Sequence, residues 1–291
     1  MQIINGKDIS QKIYESLVIR IEALKSKSII AGLAVILVGS RPDSQTYVRM
    51  KRQKCESLGI YSAQYTFNEN VTQEQLISTI QDLNNDPNIH GILIQLPLPK
   101  HINESQVLNH VSLDKDVDGF HMDNISMLTL NQHPKFVPCT PDGCMHLIKQ
   151  FIPDITGKNA VVVGRSRIVG LPMALMLLHN NATVTVCHSK TQNLPDIIRN
   201  ADILIAACGQ PKMIKSNWIK DGAVVIDVGI NSIPDPNSDK SYKLVGDVDP
   251  DGIDKVNCAI TPVPGGVGPM TIAMLMEHCV TSAEKLSLDN K

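Results

Sequence analysis

Short unbroken apolar runs alternate with longer amphipathic stretches along this chain. The runs fall at residues 32–38 (GLAVILV), 91–96 (GILIQL), 160–163 (AVVV), 182–187 (ATVTVC), 203–207 (ILIAA) and 223–228 (AVVIDV). Each is too short for an ordinary helix, and unbroken apolarity implies burial on both faces, so a parallel sheet is predicted. Between them, residues 9–24, 44–58, 73–83, 142–151 and 171–179 carry a helical apolar stripe. This alternation predicts α/β architecture with helices on both faces of the sheet. Residues 130–141 (LNQHPKFVPCTP) break the pattern with three prolines and no period, as a linker or hinge would. A Pro/Gly-rich loop at 262–268 (PVPGGVG) closes the later half. Pro269 suits the first position of a last helix, 271–286, which is expected to return to the first domain.

Composition narrows the function classes. A length of 291 residues suggests two domains, and 43 % hydrophobic with 19 % charged residues excludes a disordered chain. Lysine and arginine number 27 against 29 acids, a net charge of -2, which fits neither a polybasic nucleic-acid binder nor an acidic tail. Aromatic residues are 3 % with Trp218 the one tryptophan, too few for base-stacking or sugar-stacking surfaces. Seven cysteines without a CxxC pair read as reduced, mostly buried thiols, so neither a disulfide framework nor a metal site is expected. The opening MQIINGKDIS has no signal-peptide pattern, and no run approaches the roughly 18 apolar residues of a membrane span. The expected setting is the cytoplasm, with no nucleic-acid or membrane partner.

Residues 159–170 (NAVVVGRSRIVG) run a buried strand into Gly164 and open a helix near Gly170. Glycine at such a turn lets the backbone approach an anion, and the helix N–H groups then face phosphates. The spacing is G-x5-G rather than G-x-G-x-x-G, so a plain tight turn stays open as a reading. About 20 residues on, an NAD site carries an acid for the ribose hydroxyls. Here the next strand ends in Val186-Cys187-His188-Ser189-Lys190-Thr191, without Asp or Glu. Ser189, Arg165 and Lys190 suit a 2′-phosphate instead, which points to NADP.

In the first half, Asp43 or Ser44 is placed to cap the helix over 44–58, and Gly59 to end it. Tyr47 and Lys51 share a face at i, i+4, and Lys54 and Leu58 are expected to continue that stripe. A lysine beside an aromatic ring could serve as a tuned acid/base or simply lie exposed. Gln95 ends an apolar strand, and the alternating Pro97 and Pro99 cannot continue a central strand. Its amide is placed for a ligand at a strand's carboxyl end or for a turn. The run Asp114-Lys115-Asp116-Val117-Asp118-Gly119 mimics the start of a calcium loop, but position 12 would be Ile125 rather than Glu, which rejects calcium. A polar turn or an acid for substrate N–H groups remains.

Taken together the chain resembles the bifunctional methylenetetrahydrofolate dehydrogenase/cyclohydrolase (FolD) family over nearly its whole length. The resemblance rests on Tyr47-x3-Lys51, Gln95-Leu96-Pro97-Leu98-Pro99, Lys115-Asp116-Val117-Asp118-Gly119, Pro138-Cys139-Thr140-Pro141, Gly164-Arg165-Ser166 with Ile168-Val169-Gly170, and the run from Pro262 to Thr271. Each motif is weak alone; six in this order are specific. The resemblance implies two three-layer α/β domains. A folate-binding catalytic domain would span 1–140, and a Rossmann-type NADP domain with a parallel sheet would span 141–267. Residues 268–291 would form a helix returning to the first domain, with the substrate in the cleft between domains. It also implies a homodimer acting on tetrahydrofolate derivatives. By the same resemblance Lys51 is the acid/base, Tyr47 stacks on the aminobenzoate ring and helps hold Lys51, Gln95 biases the lysine's protonation, and Asp118 anchors the pterin. Gly266, Val267 and Pro269 would line the folate site. Gly164, Arg165, Ser166 and Ser189 would hold phosphates, Ile230 and the weaker candidate Thr140 would lie near the nicotinamide, and Cys208-Gly209 would pack at the cofactor wall. Other readings are a dehydrogenase without cyclohydrolase activity, a shikimate-dehydrogenase-like oxidoreductase, and a non-catalytic NADP- or folate-binding regulator.

Overall fold

The structure, a computed structural model, describes residues 1–236 and 241–289. Strand β1 (Gln2–Ile3) and helix α1 (Gly6–Lys25) come first. Then β2 (Gly32–Val38), α2 (Pro42–Leu58), β3 (Tyr61–Phe67), α3 (Gln73–Asn85) and β4 (Gly91–Ile94) alternate. Helices α4 (Glu104–Leu108), α5 (Met122–Thr129) and α6 (Cys139–Lys149) lead to β5 (Asn159–Val163) and α7 (Gly170–His179). β6 (Thr183–Cys187), α8 (Leu194–Ile198), β7 (Ile203–Ala206) and β8 (Val224–Asp227) follow. The antiparallel pair β9 (Asn231–Pro234) and β10 (Tyr242–Val245), the short β11 (Ala259–Ile260) and α9 (Val267–Asp289) complete the order.

Two compact units emerge, each discontinuous in sequence. One comprises Lys12–Cys139 with Ile272–Lys291, the other Met1–Gln11 with Thr140–Thr271. The boundaries fall inside α1, α6 and α9. The first eleven residues, expected in the first domain, cluster with the later unit because β1 pairs in parallel with β11.

In the unit of Lys12–Cys139, three parallel strands run in the order β3-β2-β4. All seven residues of β2 are buried, as its unbroken apolar run predicts. Ala34, Ile36 and Val38 face a core shared with Ile92 and Ile94 of β4 and with Leu76, Ile80 and Leu83 of α3. The other unit holds a six-stranded sheet, β1-β11-β8-β7-β5-β6, parallel throughout. The chain passes from β5 to β6 on one side and then to β7 on the other side of β5. The strand order therefore reverses at β5, the place where open α/β sheets bind ligands beyond their carboxyl ends.

Several local expectations change. β6 is not buried on both faces: it ends the strand order, and Thr183, Thr185 and Val186 are exposed. Neither Asp43 nor Ser44 caps α2. Its N-cap is Arg41 and Pro42 takes the first turn, where a missing N–H leaves no bond unmade. Gly59 ends the helix in the left-handed conformation, φ 74°, as expected. α9 starts at Val267, two residues before Pro269, which still lies in the first turn. Only the first part of the 130–141 stretch is irregular, because α6 begins at Cys139.

Candidate active site and cofactor loops

Lys51 is 8 % exposed, in a buried stripe of α2 that otherwise consists of Ser44, Val48, Cys55 and Leu58. The helical period forces this placement, since 44, 48, 51, 55 and 58 all fall on the face turned to the sheet. Lys51 Nζ donates to Gln95 Oε1 at 3.0 Å. Gln95 directly follows β4, and its backbone N–H continues the ladder by donating to Ile36 O at 2.9 Å. Its Nε2 donates to Leu96 O at 3.0 Å, which leaves Oε1 to accept from the lysine. Burial pushes the Lys51 pKa below its usual 10.5, while Asp118 and Cys139 pull it up. The lysine is thus poised nearer neutrality than a surface lysine, as proton transfer requires.

The turn that carries Asp118 is built by its neighbours. Lys115 Nζ donates to the carbonyls of Leu83, Asn84 and Asp86 at 2.8–3.0 Å, satisfying the carboxyl end of α3. Asp116, 3 % exposed, accepts from Phe120 N, His121 N and Asn124 Nδ2. Gly119 turns with φ 73°, and a Cβ there would stand 2.5 Å from the Val137 carbonyl carbon. Burial raises the Asp118 pKa, and the opposite charge of Lys51 is the largest influence holding it down, followed by Cys139 and His278. Behind it, Cys139 Sγ donates to Val117 O at 3.2 Å, and His278 Nδ1 lies 2.9 Å from the same oxygen.

Lys51, Gln95 and Asp118 therefore gather at one place. Tyr47 is half-buried one turn before Lys51 on α2, its phenol pKa raised first by burial and then by Asp43. Lys54 departs from the expected stripe: its ammonium stands 4.0 Å over the Tyr14 ring. Cys139 and His278 were not singled out from sequence as neighbours of Asp118. A cysteine in a Pro-rich turn and a histidine in an apolar helix look like packing until the fold brings them together.

In the other unit, the ends of neighbouring strands lie in register. Val163 of β5 pairs with Cys187 of β6 and Ala206 of β7, and Ala206 pairs with Asp227 of β8. Arg165 and Ser189, each two residues beyond a paired position, are both exposed at the same sheet edge. Gly164 has φ 132°, and a Cβ there would lie 2.0 Å from Ala207 O, so only glycine permits this turn. Ser166 Oγ accepts from Val169 N and Gly170 N at 3.2 and 3.3 Å, closing the loop at the start of α7. Thr191 Oγ1 accepts from His188 N at 2.9 Å and shapes the turn holding Ser189. A cation and a hydroxyl at paired strand ends, with no acid between residues 187 and 191, fit the 2′-phosphate of NADP.

Ile230 is exposed after β8. Thr140 Oγ1 lies 3.0 Å from Thr271 Oγ1. Gly266 and Val267 are buried and Pro269 is half-buried at the start of α9. Two buried acids here escape sequence reasoning. Asp227 accepts from the N–H groups of Gly229, Asp247 and Val248, and burial pushes its pKa up to about 6. Asp247 is fully buried beside it. Asp227 is a lone acid in an apolar run, Asp247 is the first of three alternating aspartates in Gly246-Asp247-Val248-Asp249-Pro250-Asp251-Gly252 and reads as a polar turn, and the bond between the two joins segments 20 residues apart. Among the described residues no cluster of three or more His, Cys, Asp or Glu could hold a metal ion, and no helix is long and apolar enough to cross a membrane.

A family model for the tetrahydrofolate dehydrogenase/cyclohydrolase catalytic domain matches residues 4–118. The model for the NAD(P)-binding domain of the same family matches residues 138–287. The bifunctional protein FolD of Acetivibrio thermocellus is 53 % identical over 283 residues, covering 97 % of each chain. The crystal structure of the bifunctional enzyme FolD from Campylobacter jejuni superposes with a TM-score of 0.92 at 49 % identity, covering 98 % of this chain and 99 % of that one. The Trypanosoma brucei FolD, solved with NADP cofactor and inhibitor, gives 0.93 at 39 % identity, covering 97 % of each.

Proposed function

The chain belongs to the tetrahydrofolate dehydrogenase/cyclohydrolase family, and from that premise we propose that it oxidises 5,10-methylenetetrahydrofolate with NADP+ and hydrolyses the product to 10-formyltetrahydrofolate. The observation that carries this reading is the buried Lys51 bonded to Gln95 at 3.0 Å with Asp118 beside it. A module that only binds has no use for a lysine desolvated in this way.

The work divides between the two units. The unit of Lys12–Cys139 with Ile272–Lys291 binds folate and carries proton transfer; the unit containing β5 to β8 binds the cofactor. NADP+ supplies the hydride acceptor when bound. The first step needs positioning more than an acid or base, because the folate nitrogen lone pairs drive hydride departure. Tyr47 offers its ring to the aminobenzoate and Asp118 accepts from the pterin donors. In the second step water adds to the methenyl carbon as its proton passes to neutral Lys51. The resulting ammonium then protonates the folate nitrogen that leaves as the ring C–N bond breaks, and the adduct's hydroxyl proton is released to water as the formyl C=O forms. Gln95 Oε1 holds Lys51 Nζ throughout. Gly164, Arg165, Ser166 and Ser189 bind the cofactor phosphates, with Ile230 and Thr140 toward the nicotinamide.

The protein acts in the cytoplasm as a homodimer. An assembly through the cofactor unit is supported by exposed apolar residues on α7 and the edge strand β6, among them Leu171, Leu178 and Val186.

The test follows NADPH and methenyltetrahydrofolate spectroscopically with 5,10-methylenetetrahydrofolate and either NADP+ or NAD+. The expected result is NADPH formation, with the methenyl signal decaying faster than uncatalysed hydrolysis. A methenyl signal that only accumulates would leave a dehydrogenase alone, and no turnover with either cofactor would refute the proposal.

A further inference from the structure

Fully buried Asp247 ties together two loops that follow different strands. Its Oδ2 accepts from Cys208 N at 2.7 Å, Gly209 N at 2.9 Å and Cys208 Sγ at 3.3 Å, all beyond β7. Its Oδ1 accepts from Asn231 Nδ2 at 2.9 Å, beyond β8. Gly229 leaves it room, since a Cβ there would lie 2.4 Å from Oδ1. The carboxylate is held from behind, where its own N–H donates to Asp227 Oδ1 at 2.9 Å. The Cys208 thiol, pushed up to about 12 by burial and then by Asp247, stays protonated and keeps donating.

What this clamp holds is a surface open to a ligand. Gly209 is exposed with φ 63°, and a Cβ there would meet nothing within 4 Å. Ile230, between clamped Gly229 and Asn231, is 42 % exposed. Both sit at the carboxyl edge of the sheet, on the β7–β8 side of the point where the strand order reverses. We propose that Asp247 is a positioning residue of the dehydrogenase reaction, fixing Cys208-Gly209 and Ile230 as the wall against which the nicotinamide end of NADP+ is held. The inference rests on the cofactor reading given above.

Removing the carboxylate leaves two backbone amides and one carboxamide without their acceptor, and each loop is then free to shift. A displacement of about 1 Å at a hydride-transfer site costs up to about a hundredfold in rate. The hydrolytic step uses no cofactor, so it serves as an internal control for folding. Asp247→Ala is expected to raise the KM for NADP+ or lower dehydrogenase kcat by about tenfold or more, with cyclohydrolase activity on methenyltetrahydrofolate within about twofold. Asp247→Asn should restore most dehydrogenase activity: its Oδ1 can accept from Cys208 and Gly209, while its amide donates to a flipped Asn231. Asn231→Ala cuts only the β8-side tie of a half-buried residue. It should raise the KM for NADP+ about threefold in a folded protein. Unchanged dehydrogenase kinetics in the Ala variants, or an equal fall in both activities, would overturn the proposal. Wild-type protein that fails to bind NADP+ would overturn the cofactor reading instead.

Discussion

Lys51 acquires its chemistry from its address on α2. Four other lysines and arginines, Arg41, Arg49, Arg52 and Lys54, lie in the same segment, yet Lys51 alone among them is buried. The sign of each influence on it is clear. Burial lowers its pKa, because the ammonium loses hydration, and the Asp118 carboxylate raises it. Gln95 contributes a neutral acceptor that a substitution can charge or delete. The pH profile of cyclohydrolase kcat should therefore show an inflection below 10.5. Gln95→Glu places an anion at the lysine and should move that inflection to higher pH by about one unit. Gln95→Leu removes the acceptor and should move it lower. Shifts in the opposite senses would show that the inflection is not Lys51. The lysine, its tyrosine, its glutamine and Asp118 were legible from short motifs. Cys139, His278 and Asp247 were not, because their partners come from distant segments and their types are ordinary in a core.

At the scale of elements, the proposed function assigns the cofactor selectivity to the unit β5–loop–α7 with β6. Parallel pairing of Val163 with Cys187 brings Arg165 and Ser189 to one edge. A charge-assisted bond from a guanidinium to a phosphate contributes about 1.5–3 kcal/mol. Arg165→Ala should thus raise the KM for NADP+ by about tenfold or more and leave that for NAD+ within about twofold. Equal changes for both cofactors, measured by steady-state kinetics, would remove Arg165 from the 2′-phosphate site. Strands buried on both faces stood out in the sequence as unbroken apolar runs. β3 did not, because YSAQYTF mixes polar and aromatic residues as an edge strand does. β1 and β11 are two residues each and exist only through their pairing with each other and β8. α2 starts two residues before the expected 44 and α9 four residues before the expected 271, where prolines inside the first turn are compatible with more than one start.

The whole molecule assembles each unit from two separate parts of the chain. α9 contributes to both units, and in the unit of Lys12–Cys139 Arg20 of α1 bonds Glu284 and Thr281 of that helix at 2.6–2.9 Å. An apolar pattern read locally shows two α/β regions but not that residues 1–11 cluster with the later one. Under the proposed function, proton transfer falls to the unit of Lys51 and cofactor binding to the unit of Arg165. The central claim is that the two activities share a folate site while only one depends on Lys51 as an acid/base. Its most direct test measures Lys51→Met for methenyltetrahydrofolate hydrolysis and NADP+ affinity in the same preparation. The account predicts hydrolysis lowered by about a hundredfold or more with NADP+ affinity unchanged. Undiminished hydrolysis in the folded variant would contradict it.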